Sequence, residues 1–189
     1  MPPVKPKNAD VRAREYLRPD EVEALIKAAG KIGRYRQRDR ALILLMFRHG
    51  LRAAEAAELR WHQVDWKFLQ LHVCRKKGGK PSVQPINGEE KTLLRALRKQ
   101  NPDHPFIFVG ELGAPLSERS IYRIIQRAGE LAKLDILVHP HMLRHARGFA
   151  LAAQGYDTRA IQDYLGHREI RHTVGYTELA PQRFQDWLD

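Results

Sequence analysis

A chain of 189 residues with 33 lysines and arginines against 22 aspartates and glutamates carries a formal net charge of +11. That is enough for one ordinary domain with a buried core, biased toward a polyanionic partner. The single cysteine, Cys74, excludes an internal disulfide, and the longest apolar run, Ala41 to Phe47, is far short of the roughly 20 residues that span a bilayer. A cytoplasmic protein without a targeting segment or membrane partner is expected.

Residues 1–16 place Pro2, Pro3 and Pro6 among charged residues and read as a flexible basic arm or linker remnant. Residues 17–179 read as one mainly α domain with a small antiparallel β-sheet (α+β). Pro19 at a first helical position, Asp20 and Glu21 in the first turn, and Val22, Leu25 and Ile26 on one face predict a helix ending at Gly30. A basic connector follows, with Lys31, Arg34, Arg36, Arg38 and Arg40, and then an apolar run from Asp39 to His49 that predicts a buried helix stopped by Gly50. Between residues 61 and 86, Val64, Leu69, Leu71, Val73, Val83 and Ile86 alternate around Lys76-Lys77-Gly78-Gly79-Lys80, as in a small sheet with a basic hairpin tip. Helices are predicted at Glu89–Lys99, Ser117–Lys133, Pro140–Ala153 and Asp157–Leu165, with a short one carrying Tyr176. Residues 180–189 form a tail in which Phe184, Trp187 and Leu188 share one face.

The helix opened by Pro140 puts His141, Arg144 and His145 at i, i+3 and i+4 on one surface. A guanidinium beside an imidazole is a good phosphate receptor, because one is always charged and bidentate and the other exchanges a proton near neutral pH. A solvent-facing polar stripe fits that pattern equally well. Zinc fits it poorly, since the acid of the metalloprotease motif is missing and Arg144 would repel a cation. His167, just past Gly166, has the position of a helix cap, and a tyrosine such as Tyr176 at helical spacing is usually core. Gly175 beside it weakens any helix there by roughly 1 kcal/mol. The Lys76–Lys80 tip lacks the Walker spacing and precedes no helix, so nucleotide binding is excluded. Arg119, Arg123 and Arg127 repeat every four residues, either as a phosphate-contacting stripe or as a solubilising face.

Taken together, His141-x-x-Arg144, Leu165-Gly166-His167 and Tyr176 nine residues later resemble the second box and nucleophile of the tyrosine recombinase (phage integrase) family. His49-Gly50-Leu51-Arg52-Ala53-Ala54-Glu55 resembles its first box, and Lys77-Gly78-x-Lys80 its lysine-glycine turn. The strings His139–His145 and Asp157–Val174 are similar to those of the fimbrial phase-switch recombinases. The resemblance implies the family's catalytic-domain fold and a site of Arg52, Lys77, His141, Arg144, His167 and Tyr176, with Glu55 in support. In it Tyr176 attacks, His141 is the base, Lys77 the acid, and Arg52, Arg144 and His167 hold the phosphate. It further implies metal-independent DNA breakage and rejoining through a 3′-phosphotyrosyl enzyme, with no cofactor. The implied partners are double-stranded DNA, a homo-tetramer on two DNA sites, a monomer or weak oligomer when free, and accessory DNA-bending proteins. As in the small phase-switch enzymes, no separate amino-terminal clamping domain is read in these residues, and the tail is expected to dock either on a neighbouring subunit or within its own chain. Arg34, Arg36, Arg38, Lys76, Lys80, Arg119, Arg123 and Arg127 are candidate DNA contacts. Two rival readings are a non-catalytic DNA-binding regulator and a topoisomerase-like relaxer.

Overall fold

The computed structural model describes residues 14–31, 33–76 and 78–178. Its helices are α1 (Pro19–Ala29), α2 (Arg36–Arg48), α3 (Ala53–Ala57), α4 (Gly88–Gln100), α5 (Glu118–Leu131), α6 (Pro140–Ala153), α7 (Thr158–Leu165) and α8 (Arg171–Glu178). A three-stranded antiparallel sheet, β1 (Val64–Asp65), β2 (Gln70–Val73) and β3 (Ser82–Pro85), lies between α3 and α4 in order β1-β2-β3. The expected mainly α fold with a small sheet is thus present, with helix ends within a turn of those read from sequence. Among the described residues no helix is long and apolar enough to cross a membrane.

Three helices open the same way. An acid at the third position folds back to accept the N–H of the residue before the helix: Glu21 from Arg18 at 2.8 Å, Glu55 from Arg52 at 3.0 Å, and Glu90 from Asn87 at 2.9 Å. Each satisfies a donor that the helix itself leaves unpaired. In α3 this capping acid is also Arg52's partner, so a local folding signal and a functional residue coincide.

The centre of the molecule is α2. Ala41 to Met46 are each at most 2% exposed, because α1, α4 and α6 pack around it on different sides. Burial of that order stabilises by about 1.5–3 kcal/mol per large side chain. A second, smaller apolar cluster is separate from this core: Leu151, Ala152, Ile161, Leu165 and Tyr176, with Phe149 and Tyr164 against it. It is built from α6, α7 and α8 alone.

The sheet departs from the alternation read in sequence at β3. Val83, expected inside, is 54% exposed, whereas Gln84 is 1% exposed. The register explains it: Leu71 pairs with Gln84 and His72 with Val83, and cross-strand partners share a face. Gln84 is buried because its amide is fully used. Its Nε2 donates to the Tyr164 carbonyl and Ser82 Oγ, and its Oε1 accepts from His49 Nδ1 at 2.8 Å. The strand thereby ties α7 to the end of α2.

Candidate active site

Gly50, which ends α2, is the node of the site. Its φ of +57° suits glycine, and a Cβ there would fall 2.5 Å from Leu165 Cδ2, so no other residue lets α7 approach. Its carbonyl accepts from Arg144 Nη1 at 2.6 Å and from Arg75 Nη1 at 3.1 Å. Arg144, 2% exposed, spends its other terminal nitrogen on the Leu165 carbonyl at 2.7 Å. Arg52 follows directly at the start of α3 and donates to Glu55 Oε1 at 2.7 Å. The first-box arginine, the second-box arginine and the end of α7 are therefore joined through one turn.

Arg75 closes this arrangement. Its guanidinium reaches Glu55 at 3.0 Å, the His49 carbonyl at 2.9 Å and the Tyr164 carbonyl at 2.7 Å, besides Gly50. The hairpin after it is seated by glycines: a Cβ on Gly79 would lie 2.5 Å from the Gly166 carbonyl, and one on Gly166 would lie 2.6 Å from Arg75 Cγ. Lys76 lends its N–H to Glu55 at 3.1 Å, while its ammonium pairs with Glu58. Lys80 Nζ is 4.0 Å from Asp163. Lys77 lies outside the described residues, as do most of the expected arm and the whole tail from 180 to 189.

At the end of α7, Gly166 is left-handed with φ +67°, and the His167 N–H returns to the Gln162 carbonyl at 3.0 Å. The backbone of His167 caps the helix while its ring, 9% exposed, faces Tyr176 and shares a 2.8 Å hydrogen bond between Nδ1 and Thr173 Oγ1. The backbone of His167 thus makes the expected cap, while its side chain is turned toward Tyr176.

Tyr176, on α8, is 5% exposed. The Tyr176 hydroxyl shares a hydrogen bond with His145 Nδ1, the two atoms 2.7 Å apart. His145 lies one turn further along α6, toward the part of that helix on which α8 packs; His141 is exposed, its ring centre 5.6 Å from that of His145. The phenol ring is seated on Gly148, where a Cβ would come within 2.5 Å of Cε2, and meets Phe149 edge-on at 5.1 Å.

Three guanidiniums against one carboxylate leave the site short of negative charge. Burial, then the cations of Arg75 and Arg52, push Arg144 down to about 9, with Glu55 only partly offsetting them. Burial and Arg144 and Arg52 push His167 down to about 3; burial, His141 and Arg144 push His145 down to about 4. Burial raises the Glu55 carboxyl, but Arg75 and Arg52 outweigh it and hold it below the ordinary range. Burial pushes Tyr176 up to about 12 against the pull of Arg144. Such a cluster favours an anion at its centre.

Of the other expected DNA contacts, Arg38 is corrected. It is 9% exposed, lies over the Tyr35 ring and bonds Asp39 and the Val109 carbonyl, which makes it part of the packing. Arg34 is exposed but paired with Glu111. Arg36, Arg119, Arg123 and Arg127 are exposed. Sequence reasoning missed Arg75, whose sole signal is its place before the basic tip. It also missed Gly148, although a glycine inside a strong helix usually marks close packing.

The sequence pattern of the phage integrase family matches residues 15–183. The chain is 42% identical over 181 residues to the type 1 fimbriae regulatory protein FimB of Escherichia coli K12, covering 93% of this chain and 90% of that one. Its fold is similar to the crystal structure of XerA recombinase, with a TM-score of 0.79 and 27% identity over 99% of this chain and 65% of that one. It is also similar to XerH site-specific recombinase in a pre-cleavage complex with its difH substrate, with a TM-score of 0.76, 23% identity, and 94% and 54% coverage. The chain thus spans about two thirds or less of these solved recombinases. It belongs to the phage integrase family, that of the tyrosine recombinases, and has their catalytic-domain fold.

Proposed function

We propose that the protein is a site-specific DNA recombinase that breaks and rejoins double-stranded DNA through a 3′-phosphotyrosyl intermediate. The observation that carries this is the excess of guanidinium charge around Gly50 beside the Tyr176 phenol. A phosphodiester supplies the missing anion. Arg52, Arg144 and His167 take its non-bridging oxygens and stabilise the charge that builds during in-line transfer. His141, exposed on the same face of α6, reaches the phosphate from its outer side. Tyr176 Oη gives its proton to His141, the base, and forms the new bond to phosphorus as the bond to the 5′ oxygen breaks, and Lys77 gives that oxygen its proton. No metal or cofactor enters this scheme.

The similarity to FimB supports a narrower reading: inversion of a promoter-bearing element near the protein's own gene, in the cytoplasm on nucleoid DNA. Strand exchange between two sites takes four protomers, with DNA-bending proteins as further candidate partners. A cleft of about 570 Å³ lined by Phe47, Ile86, Leu151, Tyr156, Ile161 and Tyr164 suits the tail residues Phe184, Trp187 and Leu188 of a neighbouring copy. Incubation with DNA flanking its gene should yield protein-linked 3′ ends at two inverted sites and an inverted product. Relaxation of DNA lacking such sites, with no joint formed, would favour the topoisomerase reading; binding without linkage would favour the regulator.

A further inference from the structure

We propose that His145 is a positioning residue for the nucleophile: its Nδ1 accepts the hydrogen bond of the Tyr176 hydroxyl while Gly148 provides the slot in which the phenol ring lies. The inference rests on Tyr176 being the nucleophile, and it assigns to α6 a role separate from holding phosphate.

Three observations converge. The oxygen to nitrogen distance of 2.7 Å is that of a full hydrogen bond. The rings of His145 and Tyr176 meet edge-on at 5.8 Å, so the contact is directional. One turn further on, Gly148 removes the Cβ that would strike Cδ2, Cε2 and Cζ of the ring at 2.5–2.7 Å. Once the ring is seated the phenol oxygen moves only with the side chain's χ1 and with α8, and the hydrogen bond that the hydroxyl donates to His145 restrains it there. Burial, His141 and Arg144 keep the imidazole neutral, and burial keeps the phenol protonated. The phenol is therefore the donor, and His145 carries its own proton on Nε2. His145 serves as an acceptor that aims the oxygen. A histidine so easily kept neutral is a poor store for the tyrosine proton, which separates this role from that of a base.

Asparagine and leucine have the same branched shape, and asparagine alone offers an acceptor near the place of Nδ1. In single-turnover cleavage of a nicked suicide substrate, His145→Asn should stay within about threefold of the parent, and His145→Leu should fall roughly 100-fold, the usual effect of a 1 Å misplacement. DNA affinity should be unchanged in both. Gly148→Ala should slow cleavage and expose Tyr176 to acetylation by N-acetylimidazole, from which the parent protects it. Equal cleavage by the Asn and Leu variants, whether high or low, would overturn the inference. Tyr176→Phe is the control: an adduct from that variant would remove the nucleophile itself, whereas an inactive Tyr176→Phe beside a fully active His145→Leu would overturn only the role of His145.

Discussion

The guanidinium cage and the tyrosine that faces it are held by different means. Arg144 stands on α6, which packs on α2, and bonds the Gly50 carbonyl, which also accepts from Arg75, itself held by Glu55. Tyr176 stands on an eight-residue helix whose apolar support is the small α6–α8 cluster, and a Cβ added at Gly175 within that helix would meet no other element within 4 Å. In the proposed mechanism the half that would bind phosphate is preorganised by the main core, and the half that would form and later release a covalent bond is carried on an element of low intrinsic stability. Preorganised charge serves the transition state without rearrangement, while elements that move are drawn from the less stable parts of a fold.

Breaking the cage should have the largest effect. Arg75→Ala leaves Glu55 buried without its main partner, a loss on the order of 3–5 kcal/mol, which should lower the thermal midpoint by roughly 10 °C. Tyr176→Phe removes one hydrogen bond, about 1 kcal/mol, and should lower it by only a few degrees. Equal shifts would erase the contrast between the two halves. Arg52→Ala, at the partly exposed edge of the cage, should retain the fold and lose about 100- to 1000-fold in single-turnover cleavage, the scale set by removing one oxyanion donor; DNA binding with undiminished cleavage would take Arg52 out of the site.

Acid titrates the same charge excess. His145 and His167 are pushed down to about 4 and about 3, so below pH 6.5 the unfolded chain takes up protons that the folded chain refuses, and stability falls as pH falls. Between pH 6.5 and about 4.5 this loss belongs to the imidazoles, because Glu55 and Glu90, held below their ordinary range, begin to be protonated only lower. Thermal midpoints over that window should fall for the parent and stay flatter for a variant carrying His145→Asn and His167→Asn. A bound DNA duplex should reduce the slope, since phosphate favours the charged imidazoles. A parent curve that is flat, or that rises toward acid, would contradict the charge assignment.

The smallest effect should come from Gly175→Ala. The added methyl meets no other element within 4 Å and should stabilise α8 by about 0.5–1 kcal/mol, seen as a two- to fivefold slowing of amide exchange in α8 with α2 unchanged. If exchange in α8 is already as slow as in α2, the tyrosine sits on a part of the fold as firm as the cage.

The elements and most of the residues that the fold gathers around Gly50 and Tyr176 could be read from sequence because both leave local marks: Pro19 and Pro140 open helices, Gly50 and Gly166 end them, and the motifs stand at fixed spacings. What could not be read lies in contacts between segments distant in the chain. Gln84 is inside because His49 and Tyr164 satisfy its amide, and alternation alone placed Val83 there instead. Arg38 has the composition of a DNA contact, yet Asp39, Tyr35 and the Val109 carbonyl bury it. His141 and His145 are equivalent on a helical wheel, and only the position of α8 decides which meets the hydroxyl.

The most direct measurement is mass spectrometry of the protein after reaction with a nicked duplex containing its site and digestion with nuclease and protease. Nucleotide mass attached through a 3′ phosphate is expected on the peptide bearing Tyr176 and absent in Tyr176→Phe. A nucleotide adduct on any other residue, or bound and uncleaved DNA with an unmodified Tyr176 peptide, would contradict the proposed mechanism.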